Sequence, residues 1–433
     1  MKTHDLLAIG LMTFALFLGA GNLIFPPSLG LEAGTNLFPA MVGFLITAVG
    51  LPAFTLIVLG RISNTHNLTK PLPNWLARTF WVALFTAIGP AFGMPRAVTV
   101  AYEMGIKPFV TTDHLLLFSI LFSVLTLMLA FKPGRLVDCI GKVMTPLLIL
   151  MLLALALAAI FSPLDFPQSP SADYQHGAIT QGLIQGYMTM DAIAAVGFGW
   201  VIIQTINAKG ITAPKAVANT ALKVAMIYAV LMAGCYIAMG YVGATSASVA
   251  ANATNGGEIL ARYVAGEFGV YGQWLLAAII IMACLTTTVG LTNACAEYYK
   301  QTFNASFSIT ATIVVLLTGI IANFGLEQIL TVSLPAILVL CPIAIALVLA
   351  ALFFPANSGV SFTYITVLLT ALGFGGLDAL AILGKIPPSL DIPLSHSLPL
   401  YSAHASWFLP CLAVLVFNRI LTVSKKPIMH INN

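Results

Sequence analysis

The chain has 433 residues, 59% hydrophobic and only 7% charged, with a formal net charge of +4. Soluble domains carry about 25% charged residues, so lipid must cover much of this surface, which excludes a soluble enzyme. The small basic surplus gives no sign of a nucleic-acid partner.

Continuous apolar runs lie at 6–31, 37–60, 75–101, 114–131, 140–161, 179–206, 213–243, 272–298, 306–323, 329–354, 359–384 and 400–423. A spanning helix needs about 20 such residues. Continuous blocks, in place of alternation, argue against a β-barrel. The expectation is an all-α polytopic membrane protein of about twelve transmembrane helices, a single integral membrane domain over 1–433. The first run starts at Leu6 with Lys2 as its only preceding basic residue. Without a clean cleavage site, it reads as a retained helix and not as a signal peptide.

Within that first run, Phe17-Leu18-Gly19-Ala20-Gly21-Asn22-Leu23-Ile24-Phe25-Pro26-Pro27 places two glycines and an asparagine at mid-depth. Each glycine costs a helix about 1 kcal/mol relative to alanine. Unwound backbone survives in a membrane only where protein or a cavity satisfies it. The small residues could alternatively serve close helix contact.

Gly89-Pro90-Ala91-Phe92-Gly93-Met94-Pro95-Arg96 in the third run reads as a kink, with a substrate-facing role as the second reading. The connections 162–178 and 244–271 are the longest on their side. The latter has room for a short helix near 256–266 and could form an external lid.

The sixth run holds Gly186-Tyr187-Met188-Thr189-Met190-Asp191, followed by Gly197-Phe198-Gly199. A centred carboxylate costs about 2.5–3.5 kcal/mol on insertion scales. Asp191 could be a structural acid bonded to a helix end or to Thr189, a partner for a substrate ammonium, or a proton site. Interruptions at matching places in two halves are the best sequence pointer to a transporter site. Repeat one would cover 6–161 and repeat two 179–354, inverted because five helices is odd, with 359–423 added outside. Gly197-Phe198-Gly199 offers a second register for the break.

In the eighth run, Ala283-Cys284-Leu285-Thr286-Thr287-Thr288 stacks three hydroxyls. They could back-bond to their own helix or supply oxygen to a hard cation. The six cysteines show no paired spacing and read as small core residues. His66, His396 and His404 show no ligand spacing either, and no cofactor motif is visible.

With both termini cytoplasmic, the inner loops receive 14 of the 18 basic residues, as the positive-inside rule requires. Arg96, Lys107, Arg262 and Lys385 fall outside or in a helix near the outside.

The string from Phe17 to Pro27, together with Gly186 to Asp191 and the length, resembles the branched-chain amino acid:cation symporters. These are the bacterial branched-chain amino acid transport system II carriers, BrnQ type. That family sits in the larger LeuT-like group with a five-plus-five inverted repeat and broken helices 1 and 6. The resemblance implies an inner-membrane symporter importing leucine, isoleucine and valine with sodium as coupling ion, without cofactor or obligate protein partner. It places sodium at the Ala15 and Leu18 carbonyls with Ala283, Thr286 and Thr287. The substrate would meet Gly19, Ala20, Gly21 and Asn22, its carboxylate on the Ala20 and Gly21 amides, and Tyr187, Met188, Thr189, Met190 and Asp191 on helix 6. Apolar Leu16 and Phe17 point to one sodium and not two. The rival readings are proton coupling through Asp191 and a channel. A membrane-embedded enzyme would need a cluster of acid, base or metal groups that the sequence lacks.

Overall fold

The computed structural model describes residues 3–62, 65–131, 145–161, 163–354 and 361–424. Lys2, Lys132, Arg135, Lys142, Lys425 and Lys426, which carry part of the orientation argument, lie outside the described residues, as does Cys139. The described chain is helical, with no strand. Helix is present in each of the twelve apolar runs. Among the described residues, seven stretches are long and apolar enough to cross a bilayer, and five further apolar helices are shorter.

Helices that build the centre are α1 (Thr3–Phe17), α2 (Ala20–Ala33), α3 (Gly93–Gly105), α4 (Ala172–Met188), α5 (Asp191–Ala208), α6 (Pro214–Ala244) and α7 (Gly256–Phe303). Thus the first and sixth runs are each two half-helices. Before α3, the chain kinks at Gly89, whose backbone is non-helical (φ −87°, ψ −119°), next to Pro90, which cannot donate to the helix ladder. The start of α7 supplies the short helix expected near 256–266. Asn255 caps it by accepting from the Glu258 N–H at 3.0 Å, and Gly269 at φ 61° turns the chain into the eighth span.

Close packing of small residues joins the first, second, sixth and seventh runs. A Cβ at Gly182 of α4 would lie 2.0 Å from the Ala40 carbonyl oxygen, and one at Gly30 of α2 would lie 1.9 Å from that of Gly240 in α6. Without a hydrophobic drive between helices in lipid, such backbone approach supplies the attraction. A second group forms where α3 packs on α7 and both meet Phe307–Ala322. The central cavity lies where the two groups meet. An Asp5–Lys209 ion pair of 3.0 Å puts the start of α1 on the same side as the loop after α5.

The last run departs from its expected start. Residues 401–403 form a single 3-10 turn flanked by left-handed Leu400 and His404, and the helix begins only at Phe408.

Candidate functional site

The first break is built by Gly19. Its N–H folds back onto the Phe17 carbonyl at 2.6 Å, leaving the Ala15 carbonyl without its usual helical donor. Asn22, one turn into α2, closes the gap from the other side: its Nδ2 donates to the same Phe17 carbonyl at 2.9 Å. A side-chain amide thereby replaces the missing helix donor, which is how broken backbone persists at membrane depth.

The second break lies at Met188–Thr189–Met190. Met190 adopts φ 68°, ψ 5°, a left-handed conformation that costs a non-glycine residue about 1–3 kcal/mol and concentrates at functional sites. The Thr189 hydroxyl donates to the Gly186 carbonyl at 2.8 Å and accepts from the Asp191 N–H at 3.3 Å, bridging the gap. This settles the register of the sixth run. Gly197 and Gly199 lie inside continuous α5, where they admit Ile88 and Leu59 at close range.

The two breaks meet. Asn22 Nδ2 lies 2.8 Å from Asp191 Oδ2, and Tyr236 of α6 contacts both, donating its hydroxyl proton to Asp191 at 2.7 Å and lying 2.6 Å from Asn22 Nδ2. Asp191 opens α5, where the helix dipole favours negative charge. At the opposite half-helix end, Arg96 of α3 donates from Nη1 to the Met188 carbonyl at 2.7 Å and from Nη2 to the Thr189 carbonyl at 2.8 Å. A cation at a helix C-terminus is the complementary arrangement. Asp191 lies close enough to Arg96 to interact with it.

Asn22, Arg96, Thr189 and Asp191 line a cavity of about 40 Å³ with Leu16, Phe17, Gly19, Ile88, Gly93, Ala97, Met190, Ala194, Phe198, Thr287 and Leu291. About 10–15 Å³ holds one water, so there is room for a few. Its polar face carries one acid and one guanidinium. Its apolar face is built around Phe17 and Phe198, whose rings meet edge-on at 5.3 Å between centroids.

Of the sequence-derived candidates, Gly19, Asn22, Thr189, Met190, Asp191 and Thr287 line this cavity. A Cβ at Gly19 would lie 3.2 Å from Thr287 Oγ1, so the eighth span faces the first break. Thr287 Oγ1 is buried without a partner, whereas Thr286 Oγ1 donates to the Ala283 carbonyl at 2.8 Å. Ala15 and Leu18 are buried and flank the break. Ala20 and Gly21 open α2. Met188 takes part through its carbonyl, and Tyr187, although buried, is not among the residues lining the cavity.

Three contributors were not among the predicted site residues, although Arg96 ends the Gly89–Arg96 stretch whose second reading was substrate-facing. Arg96, sorted by sequence to the outside or to a helix near the outside, is 5% exposed and lines the cavity. Its signal was available, since a charge inside an apolar run marks a functional candidate by the argument used for Asp191. Tyr236 and Phe198 carry no such local mark. No grouping of three or more metal-ligating His, Cys, Asp or Glu occurs among the described residues.

A second, larger cavity of about 580 Å³ lies between α1, α5 and α7, lined in part by Met12, Trp200, Gln204 and Asn293, and shares Leu16 with the central one. It lies toward the side that carries the Asp5–Lys209 pair.

A family model described as branched-chain amino acid transport protein matches residues 2–425. The chain is 41% identical to the branched-chain amino acid transport system 2 carrier protein of Pseudomonas aeruginosa, over 96% of this chain and 95% of that protein. It is 38% identical to the branched-chain amino acid permease BrnQ of Haemophilus influenzae, over 95% and 96%. Among solved structures it resembles Mhp1, a nucleobase-cation-symport-1 family transporter (TM-score 0.61, 10% identity, 95% and 93% covered). It also resembles MhsT in complex with L-phenylalanine (TM-score 0.59, 16% identity, 88% and 98% covered). At such identities the likeness speaks for the fold alone, which is that of LeuT-like polytopic transporters.

Proposed function

Since this chain belongs to the branched-chain amino acid transport protein family, we propose that it imports leucine, isoleucine and valine together with sodium by alternating access. The observation that carries this reading is the meeting of the two breaks at one cavity. Asn22 and Asp191 join across 169 residues of sequence at 2.8 Å, with Thr287 beside Gly19. The names of the relatives supply the cargo. An α-amino acid needs a cation site, an anion site and an apolar pocket, and the cavity wall offers Asp191, the start of α2 beside Arg96, and Phe17 with Phe198.

Sodium would sit between the first break and α7. It would be held by the Ala15 and Leu18 carbonyls with Ala283, Thr286 and Thr287, and the Thr287 hydroxyl is the buried oxygen still lacking a partner. Its binding would tie α1 to α7 and prepare the start of α2 for the carboxylate. Five-helix repeats over 6–161 and 179–354 would then rock against each other, with 359–423 outside them. With both termini cytoplasmic in the inner membrane, the cavity between α1, α5 and α7 is the inward exit. One charge crossing 100 mV supplies about 2.3 kcal/mol, enough for roughly fifty-fold accumulation before any sodium gradient.

Proton coupling is the second reading, favoured by the burial of Asp191 at the cavity wall. Uptake into proteoliposomes separates the two. At constant pH, an inward sodium gradient should drive leucine accumulation. Accumulation that ignores sodium and follows an imposed pH gradient would replace sodium by the proton. Counterflow of labelled leucine against a gradient would exclude a channel.

A further inference from the structure

Resting on the amino-acid reading of the central cavity, we infer that Arg96 is the residue that holds the substrate carboxylate, jointly with the free amides at the start of α2. Arg96 is 5% exposed and lines the cavity. Its guanidinium is permanently charged and carries five N–H donors. Two hydrogen bonds go to the Met188 and Thr189 carbonyls, which fix its plane. Its Nε, also buried, has no partner.

The position matches the task. A Cβ on Gly21 would lie 2.8 Å from Nη2, so the guanidinium abuts the first turn of α2. There the unpaired backbone N–H groups already favour an anion. Phe25 lies under the charge, 5.8 Å from Cζ to ring centroid. A carboxylate between helix end and guanidinium would take the Nε proton donor and the helix amides together. Its ammonium would then reach Asp191 across the same small cavity. One fixed positive and one fixed negative group, both buried, select a zwitterion: a ligand lacking either charge leaves a buried partner uncompensated.

A purely structural Arg96 would only tether the end of α4, and its loss would weaken every ligand alike. The experiment therefore compares two ligands within each protein. L-Leucine and L-leucinol, which keeps the ammonium and side chain but has a hydroxymethyl group for the carboxylate, compete against labelled valine uptake in proteoliposomes energised by inward sodium and proton gradients together. Wild type should prefer leucine strongly. Arg96→Gln should raise the leucine half-saturation by about tenfold to a hundredfold and leave leucinol nearly unchanged, so that the preference collapses by the same factor. Arg96→Lys keeps the charge and should restore part of the preference; it is read alone if the glutamine variant fails to accumulate. An unchanged leucine-to-leucinol ratio in the variant overturns the role of Arg96, even if both ligands weaken. Wild type that neither transports valine nor recognises leucine would overturn the amino-acid reading itself, a separate outcome.

Discussion

Replacing Thr287 by valine should move two properties in opposite directions. Its hydroxyl is buried and has no partner, and an orphaned buried hydroxyl costs about 1–3 kcal/mol. Valine removes that oxygen with little change of shape, so the sodium-free protein should gain about 1–2 kcal/mol and melt at higher temperature. A bond from such a group to a charge contributes about 1.5–3 kcal/mol. At 1.4 kcal/mol per tenfold, the sodium half-saturation should rise about ten- to 150-fold. Thr286→Val is the control. Thr286 Oγ1 already donates to the Ala283 carbonyl, so its loss should bring no gain in sodium-free stability while still weakening sodium. Thermal melting of detergent-purified protein across a sodium titration, alongside sodium-dependent leucine uptake, reads both quantities. A Thr287→Val protein with unchanged sodium half-saturation and unchanged melting would refute the reasoning.

Three further outcomes follow from the geometry. Asp191→Asn keeps an oxygen that can accept from Tyr236 and Asn22, so the protein should still fold while leucine affinity falls about ten- to a hundredfold; wild-type leucine inhibition of valine uptake in this variant would contradict it. Gly182→Ala puts a methyl group 2.0 Å from the Ala40 carbonyl oxygen, and because backbone on both sides must shift, the loss should exceed about 3 kcal/mol, visible as a collapse of folded yield in size-exclusion profiles. Competition among leucine, isoleucine and valine should differ by about 1–3 kcal/mol per methylene at most, measured as inhibition constants; rejection of valine by several thousandfold would require a polar selectivity device that the apolar face does not show.

The spans and the first break were legible in the sequence because their causes are local. Twenty apolar residues leave no alternative to helix in lipid, and Gly19, Gly21 and Asn22 weaken that helix where they stand. The second break was harder to place. Glycine is the residue expected at a left-handed position, yet here methionine takes it, at φ 68°, with the Thr189 hydroxyl bridging Gly186 and Asp191 around it and Arg96 holding the Met188 and Thr189 carbonyls before it. Gly197 and Gly199, which offered a second register for the break, serve close packing instead. Tyr236 was invisible for a different reason. A tyrosine in a long apolar helix is ordinary, and what joins this one to the two breaks is an acid 45 residues away and an amide 214 residues away. Arg96 was visible as a charge in an apolar run, but sorting charges by loop assigned it to the outer end of its helix. Its place at the cavity follows from the kink at Gly89, which the sequence also suggested, and from the packing of α3 on α7, which only the folded chain reveals.

The most direct test of the central claim is an experimental density map of the protein in lipid with saturating L-leucine and sodium. The account predicts leucine between the Gly19–Asn22 and Thr189–Asp191 stretches, with an ion beside Thr287 and both spans still interrupted. Leucine bound elsewhere, or continuous helix through residues 17–20 and 188–191, would contradict it.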